Sequence, residues 1–165
     1  MGERAWIQGA QRGSAGDLER LFREHWPRAF RAARLVTGDA AAAEDIAQEA
    51  FLAAVRNLDR FDRRRPFGPW LHRIVVNRAI DWTRARKLRA EVELGELSAS
   101  APATEPDELF ARIAELSPEH RAVVVLRYLL EYTPGEIAKL LDLPRGTVNS
   151  RLRRGLDKLK DLDER

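Results

Sequence analysis

The sequence predicts an all-α fold of two small helical domains joined by a flexible acidic linker, and three observations carry that expectation. Apolar residues recur at helical spacing along most of the chain. Helix-start signals, such as Asp39, Pro106, Ser117-Pro118-Glu119 and Thr133-Pro134, stand where that spacing begins. Between them residues 90–105, AEVELGELSASAPATE, lose both the aromatics and the rhythm and gain Ser, Ala and Pro, which is the composition of a linker. A chain of 165 residues is long enough for one domain or for two small ones with modest cores.

In chain order, residues 1–16 are Gly-rich and polar and are expected to form a flexible N-terminus leading loosely into a helix at Asp17. In that helix Leu18, Leu21, Phe22, Trp26 and Phe30 follow helical spacing, and Pro27 is a candidate kink. Gly38 and Asp39 end this helix and cap the next, where Ala43, Ile46, Ala47, Ala50, Phe51, Ala54 and Leu58 trace a core stripe. The same helix carries Asp45, Gln48, Glu49, Leu52 and Arg56 along a second face, acidic and polar around one exposed leucine. Spacing alone fits a docking face for another helix and a solvated helix side equally well.

A proline-punctuated loop follows at residues 59–69, DRFDRRRPFGP, and a helix is expected from Trp70. Leu71, Ile74, Val75 and Trp82 face inward on it, with His72, Arg73, Asn77 and Arg84 on the other side. Over residues 60–89 ten basic residues stand against Asp62 and Asp81, a net of +8 with aromatics interleaved. Such a surface suits a phosphate backbone and unpaired bases, while Phe61, Phe67, Trp70 and Trp82 also fit ordinary core packing, which is the preferred reading of Trp70 and Trp82. Residues 90–120 invert the sign, with eight acids against Arg112, and helices are expected near 106–115 and 118–130.

The stretch 132–162, YTPGEIAKLLDLPRGTVNSRLRRGLDKLKDL, has the form of a helix-turn-helix. TPGE is a capping box with Pro134 at the first helical position, and Ile137, Leu140 and Leu141 form the buried stripe of a short helix. Asp142-Leu143-Pro144 breaks the pattern, and Pro144 restarts a helix. In this second helix Val148, Leu152, Leu156 and Leu159 line one side, and Thr147, Ser150, Arg151 and Arg154 line the other. Six basic residues against Asp157 over residues 145–160 make phosphate the natural counterpart.

Other chemistry is absent from the sequence. There is no cysteine for a disulfide or thiolate site, and His25, His72 and His120 do not stand at metal-ligand spacing. Neither a P-loop nor a nucleophile elbow occurs, so no catalytic residue, metal or cofactor is expected. The N-terminal residues lack a signal-peptide core, and the longest apolar run, residues 122–126, is far too short to span a membrane; a cytoplasmic location without membrane insertion is expected.

Three ordered blocks carry a family resemblance: AEDIAQEAFLAAVRNLDRFD, PFGPWLHRIVVNRAIDWTRARK and LSPEHRAVVVLRYLLEYTPGEIAKLLDLPRGTVNSRLRRGLDKLK. The chain resembles an extracytoplasmic-function (group IV) sigma factor of bacterial RNA polymerase over nearly all of residues 17–162. The resemblance implies a sigma region 2 helical bundle over residues 17–89 and a sigma region 4 helix-turn-helix over residues 106–165, with the linker between them at 90–105. It implies core RNA polymerase as partner, met through the β′ clamp helices and the β subunit, with Asp45, Gln48, Glu49 and Leu52 on the clamp helices. It further implies capture of the −10 element by Arg60, Arg63, Arg64, Arg65, Phe67, Arg73 and Asn77, including a base extruded from the strand. Reading of the −35 element falls to Arg145, Thr147, Asn149, Ser150, Arg151 and Arg154. An anti-sigma factor is a further implied partner. The chain departs from the family pattern at Asp142, where Gly is common, and at Gly135 and Gly68-Pro69. The residues alone also fit an autonomous helix-turn-helix regulator that binds operator DNA without polymerase, or a helical adapter.

Overall fold

The computed structural model describes residues 2–93 and 108–165, and every regular element among them is helical. The N-terminal half contains α1 (Glu3–Gln11), α2 (Ala15–Thr37), α3 (Ala40–Arg56), a 3-10 turn (Leu58–Arg60) and α4 (Phe67–Val92). The C-terminal half contains α5 (Glu108–Ala114), α6 (Pro118–Val124), a π turn (Val125–Leu129), α7 (Pro134–Leu141) and α8 (Arg145–Asp163).

Helix α2 is the centre of the first half and packs against α1, α3 and α4. Ser14 caps it, its hydroxyl accepting from the Asp17 amide (3.2 Å). It runs through Pro27, which lies on the exposed side, and stops at Gly38, whose φ of 70° suits a residue without a Cβ. Asp39 then caps α3 by accepting from the Ala42 amide (2.9 Å). The expected stripe of α3, from Ala43 to Leu58, is buried at nearly every position, and its alanines let α2 and α4 approach closely.

Three expectations are corrected here. The first sixteen residues do not lead loosely into α2, because α1 forms within them. Ile7 is buried, and the Gln11 side-chain amide donates to the Leu58 and Phe61 carbonyls (3.0 Å each), closing the end of the 3-10 turn. Gly9 lies where α1 meets α2; a Cβ there would collide with the Asp17 carboxylate. Helix α4 begins at Phe67 rather than Trp70, since Pro69 falls in its first turn where a missing N–H costs nothing. At its other end α4 continues to Val92, so residues 90–92 are helix rather than linker. The remaining linker expectation at residues 94–105, and the helix start at Pro106, lie outside the described residues.

In the second half Ser117 caps α6, accepting from the His120 amide (3.3 Å). The π turn ends α6 through a bond from the Leu130 amide to the Val125 carbonyl (3.1 Å), and the Tyr132 amide returns to the Leu126 carbonyl (3.0 Å). Glu131 takes a positive φ of 63° at this reversal, which turns Tyr132 back toward α4. The capping box of α7 is complete: the Glu136 amide donates to Thr133 Oγ1 (3.2 Å) and the Thr133 amide to Glu136 Oε1 (3.0 Å). Asp142 closes α7 in the left-handed region (φ 55°), and the Leu143 amide reaches the Ala138 carbonyl (2.9 Å). Pro144 stands just before α8 rather than inside it. On α8 the buried row is Val148, Leu152 and Gly155; Leu156, expected inward, is 39% exposed.

The two halves touch. Helices α6 and α7 meet α4, and α5, α6 and the π turn meet α2. The Arg121 guanidinium donates to the Val36 carbonyl across this boundary (3.0 Å) and to the Leu116 (2.8 Å) and Ala114 (2.6 Å) carbonyls on its own side. Arg34 lies over the Phe110 ring at 4.4 Å.

Candidate nucleic-acid and partner interfaces

The first surface is the outer face of α3. Asp45, Gln48, Glu49 and Leu52 are all exposed, Leu52 at 53%, while Ile46, Ala47, Ala50 and Phe51 on the same helix are buried. Helical periodicity puts these two sets on different sides, so the core grips α3 without using its acidic face. Glu49 Oε2 accepts from Arg78 Nη1 of α4 (3.2 Å), an exposed pair that water screens and a stronger partner can displace.

The second surface is the loop between the 3-10 turn and α4. Asp62 organises it: its carboxylate accepts from the Arg64 amide (3.0 Å), Nε (3.0 Å) and Nη2 (3.1 Å), and its carbonyl accepts from the Arg65 amide (2.9 Å). The hydrogen bonds from Arg64 hold the Asp62 carboxyl below its ordinary range. Arg64 is therefore engaged within the loop, whereas Arg60, Arg63, Arg65 and Arg73 are exposed and close no ion pair among the described residues. Asn77 is half-buried one turn beyond Arg73 on α4.

Phe67 does not belong to this surface. It is 1% exposed and packs edge-on against Phe51, Phe61 and Trp70, so its ring is part of the core and not open to a base. The partly exposed aromatics are Phe61 and Trp70, stacked at 4.5 Å with planes 20° apart. The sequence signal for both was their place in the basic stretch, offset by the fact that large aromatics usually serve packing.

His72, expected to face outward beside Arg73, is also inside. It is 5% exposed, and its Nδ1 bonds the Tyr132 hydroxyl (2.7 Å), joining α4 to the segment before α7. Burial, with His25 and Arg28 nearby, lowers its pKa to about 4, and burial raises that of Tyr132. No sequence pattern linked residues 60 positions apart. Tyr132 also lines a cleft of about 840 Å³, in which Phe61, Trp70 and Arg73 stand opposite Tyr132, Lys139 and Leu140.

The third surface is the outer side of α8. Arg145, Asn149 and Arg154 are exposed, and Thr147, Ser150 and Arg151 are half-exposed. The helix is held from behind by Val148, Leu152 and Gly155, and a Cβ at Gly155 would sit 3.0 Å from Val124 of α6. Partial burial and the charges of Arg151 and Arg154 lower the pKa of His120, a sign of the positive field at this face. The structure thus leaves all six expected residues of α8 accessible along one helix and separates them from the cleft.

No helix among the described residues is long and apolar enough to cross a membrane. Comparison with known proteins matches residues 21–89 to Sigma-70 region 2 and residues 107–159 to Sigma-70, region 4. The chain is similar to the ECF RNA polymerase sigma factor SigL of Mycobacterium tuberculosis, 35% identical with 90% of this chain and 89% of that protein covered. It is also similar to the ECF RNA polymerase sigma factor SigW of Bacillus subtilis, 37% identical with 74% and 76% covered. Among solved structures, CnrH in complex with the cytosolic domain of CnrY matches with a TM-score of 0.74 at 28% identity, covering 98% of this chain and 97% of that one. With both sigma regions matched in order and relatives at this identity along most of their length, the chain belongs to the ECF RNA polymerase sigma factors, the proteins that direct transcription initiation.

Proposed function

We propose that this sigma factor joins core RNA polymerase through the outer face of α3 and reads a promoter with two surfaces, one in each half. The β′ clamp helices dock on Asp45, Gln48, Glu49 and Leu52, where the exposed leucine gains an apolar partner and the acids meet basic residues. Arg60, Arg63, Arg65 and Arg73 hold the strand of the −10 element by its phosphates, and the Phe61–Trp70 stack offers a flat face to its bases. Arg64, tied to Asp62, shapes the loop. On α8, Arg145, Thr147, Asn149, Ser150, Arg151 and Arg154 enter the groove of the −35 element, where Arg and Asn pair base edges.

The observation that carries this reading is the division of faces on α3 and α8. Each helix is fixed by a buried stripe, and its polar binding residues lie exposed or half-exposed, with Glu49 held only by an exposed pair to Arg78. The N-terminal half, residues 17–89, would serve polymerase and the −10 element, and residues 106–165 the β subunit and the −35 element. The protein acts in the cytoplasm as a specificity subunit, without a catalytic site of its own. An anti-sigma factor is a second protein partner, in keeping with the protein-bound state in which CnrH was solved.

Run-off transcription with reconstituted polymerase on a promoter library tests the whole reading, and Glu49→Lys tests its first contact. The wild-type chain is expected to give discrete start sites only with core enzyme. Glu49→Lys is expected to lose co-elution with core while keeping its helical circular dichroism. Normal co-elution of the variant would overturn the α3 docking face. Tight operator binding by the chain alone, unaffected by core, would make it an autonomous regulator instead.

A further inference from the structure

The cleft between the two halves has a wall that promoter reading does not use. On the N-terminal side stand Arg60, Arg65, Arg73 and the Phe61–Trp70 stack; on the C-terminal side α7 contributes Lys139. Arg60, Arg65, Arg73 and Lys139 have no carboxylate at ion-pair distance among the described residues. The two acids that line the cleft are engaged elsewhere: Asp62 holds Arg64, and Glu136 accepts from the Thr133 amide in its capping box. Four cations without an ion-pair partner among the described residues therefore border a partly exposed aromatic stack, in a cleft of about 840 Å³ whose two acids, Asp62 near Arg65 and Glu136 near Lys139, leave a net positive lining.

We propose that this cleft binds a free nucleoside polyphosphate, which bridges the two halves and holds them together. The volume is in the range that encloses a small ligand. Phosphates suit arginines on one side and a lysine on the other, and a base suits the flat face of Trp70. A free nucleotide suits the cleft as formed, because α7 contributes Lys139 and Leu140, and the segment before it Tyr132, to a wall facing Phe61, Trp70 and Arg73. The bridged state requires both walls at once, so the ligand stabilises the docked arrangement and competes with capture of the −10 strand by the N-terminal wall. This goes beyond the promoter reading and engages one residue, Lys139, that has no part in it.

Equilibrium dialysis of the full chain against labelled GTP and, separately, ATP tests the proposal, with guanosine and tripolyphosphate as competitors. Saturable binding below about 1 mM is expected, weakening as salt rises. GTP should compete better than either guanosine or tripolyphosphate. Lys139→Ala should weaken binding about tenfold with thermal stability unchanged, and Arg73→Ala should do likewise. In holoenzyme, Lys139→Ala should bind a −10 single strand as the wild type does, whereas Arg73→Ala should not. Absence of saturable binding, or competition by tripolyphosphate equal to that by GTP, would overturn the site. Loss through Arg73→Ala alone would mean that the nucleotide merely occupies the −10 surface, which also overturns it. Failure of the promoter reading would show as run-off transcription indifferent to Arg73→Ala, whatever the dialysis result.

Discussion

Single residues decide what these surfaces can do, and His72 is the clearest case. Its ring is buried, with the charges of His25 and Arg28 of α2 nearby and Tyr132 bonded to Nδ1, and its Nε2 has no hydrogen-bond partner among the described residues. Such an environment disfavours the charged form, which places its pKa at about 4. The unfolded chain takes up this proton near the ordinary value of about 6.5, so between these two values the unfolded state binds more protons than the folded state. The stability tied to neutral His72 is thus intact above about pH 6.5 and lost as pH falls toward 4, by up to about 3 kcal/mol. Urea unfolding of the wild type and of His72→Asn at a series of pH values measures this. The wild type should lose more stability than the variant across that window; parallel pH profiles would remove His72 as the cause. Phe67 makes the complementary point. A phenylalanine in a basic loop has the composition of a base-stacking residue, yet it fills the core while Phe61 and Trp70 stay partly open.

At the scale of elements, α8 shows how a helix divides its faces. Val148, Leu152 and Gly155 are buried, and Arg154, next to Gly155, points outward. Arg154→Ala should therefore leave the fold intact and weaken −35 binding. If the guanidinium pairs a base edge, the loss is about 1 to 3 kcal/mol on the preferred sequence and relaxes choice at that position. If it meets phosphate, all sequences weaken alike and the salt dependence falls. A binding assay over single-base variants of the −35 element separates the two, and no change at all would take Arg154 out of the reading set. Much of the helical framework was legible in the sequence, because caps and periodicity are local: Asp39 of α3, Ser117 of α6 and the Thr133–Glu136 box of α7 stand where expected. The exceptions have physical reasons. The segment around α1 carries glycines at residues 2, 9, 13 and 16 and reads as loop, but Gly9 alone lies within that helix, where its lack of a Cβ lets α1 lie against Asp17 of α2. Gly155 displaces Leu156 from the buried row of α8 because the close approach of α6 leaves no room for a side chain there. The cleft was not legible, since its two walls come from segments at least 58 positions apart in sequence.

For the whole molecule, the question is how firmly the two halves are held. The exposed Arg84–Glu119 bridge (2.8 Å) contributes little in water. The Arg121 bond to the Val36 carbonyl is partly buried, and two of the other bonds of that guanidinium stay within its own half. The buried His72–Tyr132 bond is the contact whose loss should matter most, because Tyr132→Phe leaves both His72 nitrogens without a partner at a cost of about 1 to 3 kcal/mol. These polar links amount to a few kcal/mol and add to the apolar packing of α2 and α4 against α5, α6 and α7; docking of α3 on a large partner opens the halves only where it outweighs both. The chain has no cysteine, so a labelled pair introduced at Glu44→Cys on α3 and Asp157→Cys on α8 reports the distance between the halves directly. The wild-type background should give a narrow distribution centred on the docked arrangement. Tyr132→Phe should raise the population at longer distances by about tenfold for each 1.4 kcal/mol lost, and core polymerase should produce the same shift without any substitution. An unchanged distribution in Tyr132→Phe would assign the docking to the apolar contacts of α2 with α5 and α6 rather than to the hydrogen bond. An unchanged distribution on adding core would mean that polymerase accepts the halves as they stand, with the −10 surface and α7 still face to face.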